Sequence, residues 1–202
     1  MFLFKKREKP RSKLPPNQRW VDHILKWGVE HPGTQSELPE ITKKELRLIV
    51  DGEVGNPVEL NWSDFMAHEQ VISVSDFHCV ETWSVENQKW RGVRFSTLMG
   101  TVKPSSKAKF ALFEGYDGYT TSLPLKELTG DDVILAHSLN DKPLPQPLGG
   151  PMRLVVPQKY AYKSPMWLHR ITFSTRDKLG YWERGAYSNK ADPWKGDRYT
   201  LR

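Results

Sequence analysis

The sequence predicts an α+β domain built on mixed β-sheet. Its apolar residues come in short runs separated by Pro, Gly, Asn and Asp, as strands do, and its helical patterns are few, short and irregularly placed. Nowhere do strands and helices alternate in the regular order of βαβ units.

Residues 1–16 read as a basic flexible tail ended by Pro15-Pro16, and residues 17–202 as a single domain. Six of the thirty basic residues crowd into that tail: Lys5, Lys6, Arg7, Lys9, Arg11 and Lys13. Like charges at that density resist folding. Trp20, Ile24 and Trp27 fall at helical spacing and predict a short helix packed on the body.

Leu46 to Val50 is an apolar run that meets the turn dipeptide Asp51-Gly52, a hairpin signal. Asn61 and Ser63 offer side-chain oxygens to cap a helix carrying Trp62, Phe65 and Met66, and Val71 to Val74 reads as a buried strand with Cys79 just past its end. Phe95 to Met99 predicts another short helix. Strands at Phe110 to Phe113 and Thr120 to Leu123 flank the turn Tyr116-Asp117-Gly118-Tyr119. A helix near Leu125 to Leu128 and strands at Val133 to Leu139, Met152 to Val156 and Trp167 to Phe173 follow, with Trp167, Ile171 and Phe173 on one face. Between Asn140 and Pro151, four prolines and two glycines predict a shaped loop without regular elements.

Composition narrows the function classes. With 38% hydrophobic residues among 202, the chain closes one substantial core. No apolar run is long enough to span a bilayer, and the short amino-terminal patch does not form an export signal. The net charge of +6 is dispersed among acidic residues outside the tail, which argues against a nucleic-acid groove. The lone cysteine, Cys79, forbids an internal disulfide and suits a reducing cytoplasm.

Cys79 at a strand-to-loop junction is either an inert buried thiol or a chemically employed one. The adjacent His78 points to the opposite face of an extended chain, and there is no second cysteine or His-Glu-x-x-His, so the usual zinc arrangements are missing. A cysteine-histidine hydrolase stays open, because His23, His31, His68, His137 or His169 can approach Cys79 in space.

The segment Phe77-His78-Cys79-Val80-Glu81-x-Trp83-Ser84-Val85, with Trp90-x-Gly92-Val93, resembles the metal-ligand segment of the oxidoreductase molybdopterin-binding family, which includes sulfite oxidases and bacterial protein-methionine-sulfoxide reductases. Gly115 to Pro124, Gly150 to Pro157, Tyr160-x-Tyr162-Lys163-Ser164, Gly180 to Gly185 and Asp192-Pro193-Trp194 are similar in the same order, so the resemblance runs from Leu46 to Trp194. It implies a fold of the sulfite-oxidase molybdopterin-binding type and a molybdenum-molybdopterin cofactor. It also implies Cys79 as the thiolate ligand and two-electron oxygen-atom transfer on a small, for example sulfur-containing, substrate.

The same resemblance places Glu81 near the metal as a proton donor or acceptor, a position that alternation in an extended segment also predicts. It places Arg153, Lys163, Ser164 and, more loosely, His23 around the cofactor. Relatives often carry a polar residue where Leu148 stands, a glycine at Ala161 and a basic residue at Met166. No haem, flavin or nicotinamide motif is present, which implies a separate electron-transfer partner, and the missing dimerisation domain of larger sulfite oxidases implies a monomer. The competing readings are a cofactor-free basic module that keeps the fold, and the thiol hydrolase.

Overall fold

The computed structural model describes residues 13–26 and 37–200. Most of the expected tail, Trp27 and His31 lie outside the described residues. Two mixed sheets carry the fold. The first holds six strands: β1 (Arg19–Trp20), β4 (Val71–His78), β5 (Trp83–Arg94), β8 (Ile134–Leu139), β9 (Lys142–Pro143) and β10 (Arg153–Val155). The second has the order β3-β2-β11-β6-β7, from β2 (Leu48–Gly52), β3 (Val58–Leu60), β6 (Phe110–Gly115), β7 (Thr120–Pro124) and β11 (Leu168–Ser174), with β2 and β11 parallel. Three short helices, α1 (Trp62–Ala67), α2 (Phe95–Val102) and α3 (Tyr181–Arg184), complete the α+β architecture. Among the described residues no helix is long and apolar enough to cross a membrane.

The local chemistry explains several of these elements. Asn61 caps α1 by accepting the Asp64 N–H at 3.0 Å, and Asp64 returns the bond to the Asn61 N–H at 3.1 Å. This capping box closes on Asp64 and not on Ser63. The hairpin at residues 116–119 forms as expected, its turn held by Asp117 Oδ1 accepting the Tyr119 N–H at 3.0 Å.

Elsewhere tertiary pairing overrides local pattern. The helix expected over Trp20–Trp27 is replaced at its start by β1, which pairs in parallel with Trp83 and Ser84, and Val21 to Lys26 are irregular. The Asp51-Gly52 pair lies inside β2 and not at the turn, since Asp51 and Gly52 pair with Thr172 and Phe173 of β11. A register shift between Leu168 and Arg170 puts Leu168, Ile171 and Phe173 into the core, whereas Trp167 takes a positive φ and donates its indole N–H to the Gln146 carbonyl at 2.9 Å. The proline-rich stretch contains the two-residue β9 and a 3-10 turn at Gln146–Leu148 after all.

Alternation along β8 and β10 buries both faces of the six-stranded sheet there, whereas β4, expected to be buried over Val71 to Val74, exposes Ile72 and Val74. Leu135 and Leu154 face the second sheet, where they meet Val50, Phe113, Ile171 and Phe173, with α2 contributing Phe95 and Leu98. Ile134, Ala136 and Val155 face the other way, into a smaller core with Phe77, Trp83, Trp90 and Cys79. The functional cleft opens from this second core.

Candidate functional site

β4 stops at His78, and residues 79–82 turn the chain into β5, closed by the Cys79 N–H donating to the Trp83 carbonyl at 2.9 Å. Thr82 takes a φ of 72° within this turn. The segment is therefore not extended, and alternation is not what relates Cys79 to Glu81. The turn itself brings both side chains to one cleft.

That cleft encloses about 810 Å³ including the open solvent at its mouth. Its lining converges from distant stretches. Phe77, Cys79, Glu81 and Trp83 come from the ligand loop, Ile24 and Leu25 from the amino-terminal arm, and Leu148, Arg153, Ala161, Ser164 and Met166 from the segments after β9 and β10. Val80, Asp117, Tyr119, Tyr162, Pro165, Trp182 and Tyr187 complete it. Leu148, Ala161 and Met166 all line this cleft.

The Cys79 thiol is 7% exposed, and burial pushes it up to about 12, against smaller opposing contributions from the Glu81 backbone N–H and Arg198. A cofactor-free Cys79 is therefore a protonated, unreactive thiol at neutral pH. Its reaction with iodoacetamide at pH 8 is expected to be at least about 100-fold slower than after unfolding in urea. Because the folded value is raised above the ordinary 9.0, its stabilising contribution is full below pH 9 and is lost as pH climbs toward 12. Mass spectrometry of the alkylated protein checks the rate. No described histidine lines the cleft; His78 Nδ1 bonds Ser84 Oγ at 2.8 Å and His137 bonds Gln70 at 3.1 Å. The cysteine-histidine pair of a thiol hydrolase is thus not assembled in the cleft among the described residues.

Arg153 is 3% exposed and is held by three carbonyls, of Leu154 at 3.3 Å, Leu148 at 2.9 Å and Ser164 at 2.8 Å. Its guanidinium lies over the rings of Phe77 and Trp90, at 5.2 and 5.6 Å from their centroids. Burial pulls it down to about 9, which leaves it charged at neutral pH. All its hydrogen bonds among the described residues go to carbonyls and none to a carboxylate, and two of its five N–H donors are left over. A buried cation of that kind awaits an anion. The loop that supplies the Leu148 carbonyl turns at Gly149, whose φ of 98° strains any larger residue. Ser164 Oγ accepts the Val156 N–H at 3.0 Å.

Lys163 follows a different course. It is fully buried and directs its ammonium to the Glu183 carboxylate, to the Ser122 carbonyl at 3.0 Å and to Asn189 Oδ1 at 2.9 Å. It does not line the cleft. His23 is exposed on the amino-terminal arm beside Ile24 and Leu25. The structure therefore brings Cys79, Glu81, Arg153 and Ser164 together, and sets Lys163 behind the wall and His23 outside it.

Sequence reasoning passed over Asp117, 6% exposed on the cleft, and Tyr187, whose hydroxyl stands 3.5 Å from Glu81 Oε1. Burial raises the Tyr119 and Tyr162 phenols well above their ordinary range, so both remain donors, to the Tyr162 and Ser188 carbonyls. Among the described residues no group of three His, Cys, Asp or Glu side chains converges as a metal site. A metal at Cys79 must bring its other donors with it, and the unmatched Arg153 fits the anionic end of such a group.

Comparison with known proteins bears on the family and the fold. The family described as oxidoreductase molybdopterin binding domain matches residues 35–182. The uncharacterized oxidoreductase YuiH of Bacillus subtilis is 33% identical over 201 residues, covering 99% of each chain. The protein-methionine-sulfoxide reductase catalytic subunit MsrP of Pseudomonas syringae pv. tomato is 32% identical over 192 residues, which cover 83% of this chain and 57% of that protein. Among solved structures, the sulfane dehydrogenase SoxCD of Paracoccus pantotrophus superposes with a TM-score of 0.66 at 20% identity, over 88% of this chain and 51% of that one, and shares the fold. The chain spans nearly all of the Bacillus relative but little more than half of the other two.

Proposed function

Since the chain belongs to the oxidoreductase molybdopterin-binding domain family, we propose that it is a molybdenum-molybdopterin enzyme that transfers an oxygen atom to or from a small neutral substrate of the sulfoxide type. The observation that carries this reading is the convergence of Cys79 and Arg153 on one apolar cleft, among the described residues the first a soft donor outside any cluster of metal ligands and the second a buried cation without a carboxylate hydrogen bond. When bound, the cofactor supplies dithiolene sulfurs to the metal and a centre that exchanges two electrons. In this reading residues 17–202 work as a single domain and a monomer in a reducing cytoplasm, and a separate electron-transfer partner feeds the site.

Each side chain then has a task. Cys79 holds the metal, and Arg153, held in place by the Ser164 carbonyl, grips the anionic end of the pterin. His23 meets that end from the arm at the mouth. Lys163 serves at one remove: its pair with Glu183 fixes the segment whose Trp182 and Tyr187 face the cleft. Glu81, exposed at the mouth, exchanges protons with the substrate oxygen, since reducing a sulfoxide to a thioether consumes two electrons and two protons and releases water.

A neutral substrate is favoured over sulfite by charge. The described lining offers Glu81 and Asp117 carboxyl groups, and its one cation, Arg153, is buried. Like charges brought together cost several kcal/mol, so a dialkyl sulfoxide is expected to exceed sulfite in kcat/KM by more than about 100-fold with dyes as electron donor or acceptor. Faster turnover of sulfite overturns the substrate assignment. Glu81→Gln is expected to lower kcat by about 100-fold or more and to flatten one limb of the pH–rate profile. An unchanged profile removes Glu81 from the proton path. Molybdenum analysis of the purified protein separates the enzyme from a cofactor-free module.

A further inference from the structure

Two side chains outside the cleft hold the loop that carries Cys79, and they come from opposite ends of the described chain. Gln18 Nε2 donates to the Cys79 carbonyl at 2.9 Å, and the Arg198 guanidinium donates to the Val80 carbonyl. Gln18 is itself oriented, because its Oε1 accepts Ser84 Oγ–H at 3.1 Å and the same Ser84 oxygen takes the His78 Nδ1–H at 2.8 Å. Arg198 also reaches the carbonyls of Pro16 at 3.4 Å and Asn17 at 3.3 Å, and lies over the Tyr160 ring, 5.4 Å from its centroid. All its hydrogen bonds among the described residues go to carbonyls, although the carboxyl groups of Asp192 and Asp197 also stand near the Tyr160 ring that it covers.

A cation bonded to the carbonyl of Val80, the residue after a metal ligand, does two things. It fixes the loop, and it draws electron density from the ligand sulfur, in opposition to the Glu81 carboxylate on the same turn. We propose that Arg198 is a positioning residue for the metal centre, clamping the Cys79 loop from behind and setting the reduction potential of the metal through its charge. This rests on the reading of Cys79 as ligand. Gln18 is the neutral half of the clamp and fixes geometry without charge. The carboxy-terminal segment thus becomes part of the redox site although it lies 118 residues from Val80 along the chain.

The test uses the cofactor-loaded protein and two variants. Arg198→Gln keeps a hydrogen-bond donor and removes the charge; Arg198→Lys keeps the charge and removes the fork. Removing a positive charge favours the more oxidised metal, so the midpoint potential of Arg198→Gln moves to more negative values and its electron paramagnetic resonance spectrum changes, while Arg198→Lys stays near the wild type. Wild-type potentials in both variants, or equal shifts in both, overturn the proposal. Loss of fold or of molybdenum in both assigns Arg198 a purely structural role and overturns it as well. Failure of the underlying reading looks different: wild-type protein then shows no molybdenum signal, or Cys79→Ser leaves that signal unaltered.

Discussion

Cys79→Ser protein is expected to retain less than about a tenth of the molybdenum of the wild type, and to lose oxidoreductase activity by more than about 100-fold. The hydroxyl is a hard donor and does not ionise at neutral pH, so it cannot stand in for a thiolate on a soft redox metal. No cluster of neighbouring groups compensates, because among the described residues no group of three His, Cys, Asp or Glu side chains offers ligands. The fold is expected to survive, since serine is close to cysteine in size and a buried hydroxyl costs about 1–3 kcal/mol. Elemental analysis alongside far-ultraviolet circular dichroism separates loss of metal from loss of structure. Full molybdenum content in a folded Cys79→Ser protein contradicts the ligand assignment.

The largest stability effect is expected at Glu183. Its carboxylate pairs with Lys163, both side chains fully buried, and also accepts Thr121 Oγ1–H at 2.6 Å. Burial lowers Lys163 and the Glu183 charge opposes that fall, so the carboxylate is what keeps the ammonium tolerable inside the protein. Glu183→Leu leaves that cation hydrogen-bonded, among the described residues, to the Ser122 carbonyl and Asn189 alone, with the Asp177 charge farther off, and is expected to cost about 3–5 kcal/mol. Adding Lys163→Met should recover most of the loss, because the uncompensated charge goes with it. Urea unfolding at constant slope measures both. α3 packs so closely on β7 that a Cβ at Gly180 would lie 2.2 Å from the Thr120 carbonyl oxygen, so disturbance at Glu183 also reaches Trp182 and Tyr187 on the cleft. A single variant as stable as the wild type contradicts the structural role given to this pair.

What the sequence made legible were features governed by near neighbours. The Asn61 cap, the turn at Asp117-Gly118, and β4 ending just before Cys79 each follow from residues a few positions apart. β5 did not announce itself, because Glu86, Asn87, Gln88 and Lys89 break its apolar pattern and Asn87 takes a positive φ. It persists as a strand because partners pair along both edges, β4 on one side and β1 with β8 on the other. Trp20 was misread for the same reason: its helical spacing lost to pairing with Ser84.

The site divides along similar lines. The segment around Cys79 was legible through its resemblance to a family, and the cleft gathers Glu81, Arg153 and Ser164 around it. That Arg153 lacks a carboxylate, and that Lys163 turns to Glu183 twenty residues on, are facts of burial that no linear pattern encodes. The grips of Gln18 and Arg198 on the ligand loop span 61 and 118 residues and carry no local signature.

X-ray absorption at the molybdenum edge of the loaded protein examines the metal–sulfur bond itself. The account predicts one more sulfur neighbour around molybdenum in the wild type than in whatever molybdenum the Cys79→Ser protein retains. An identical sulfur count in the two proteins, with the metal still present, would contradict it.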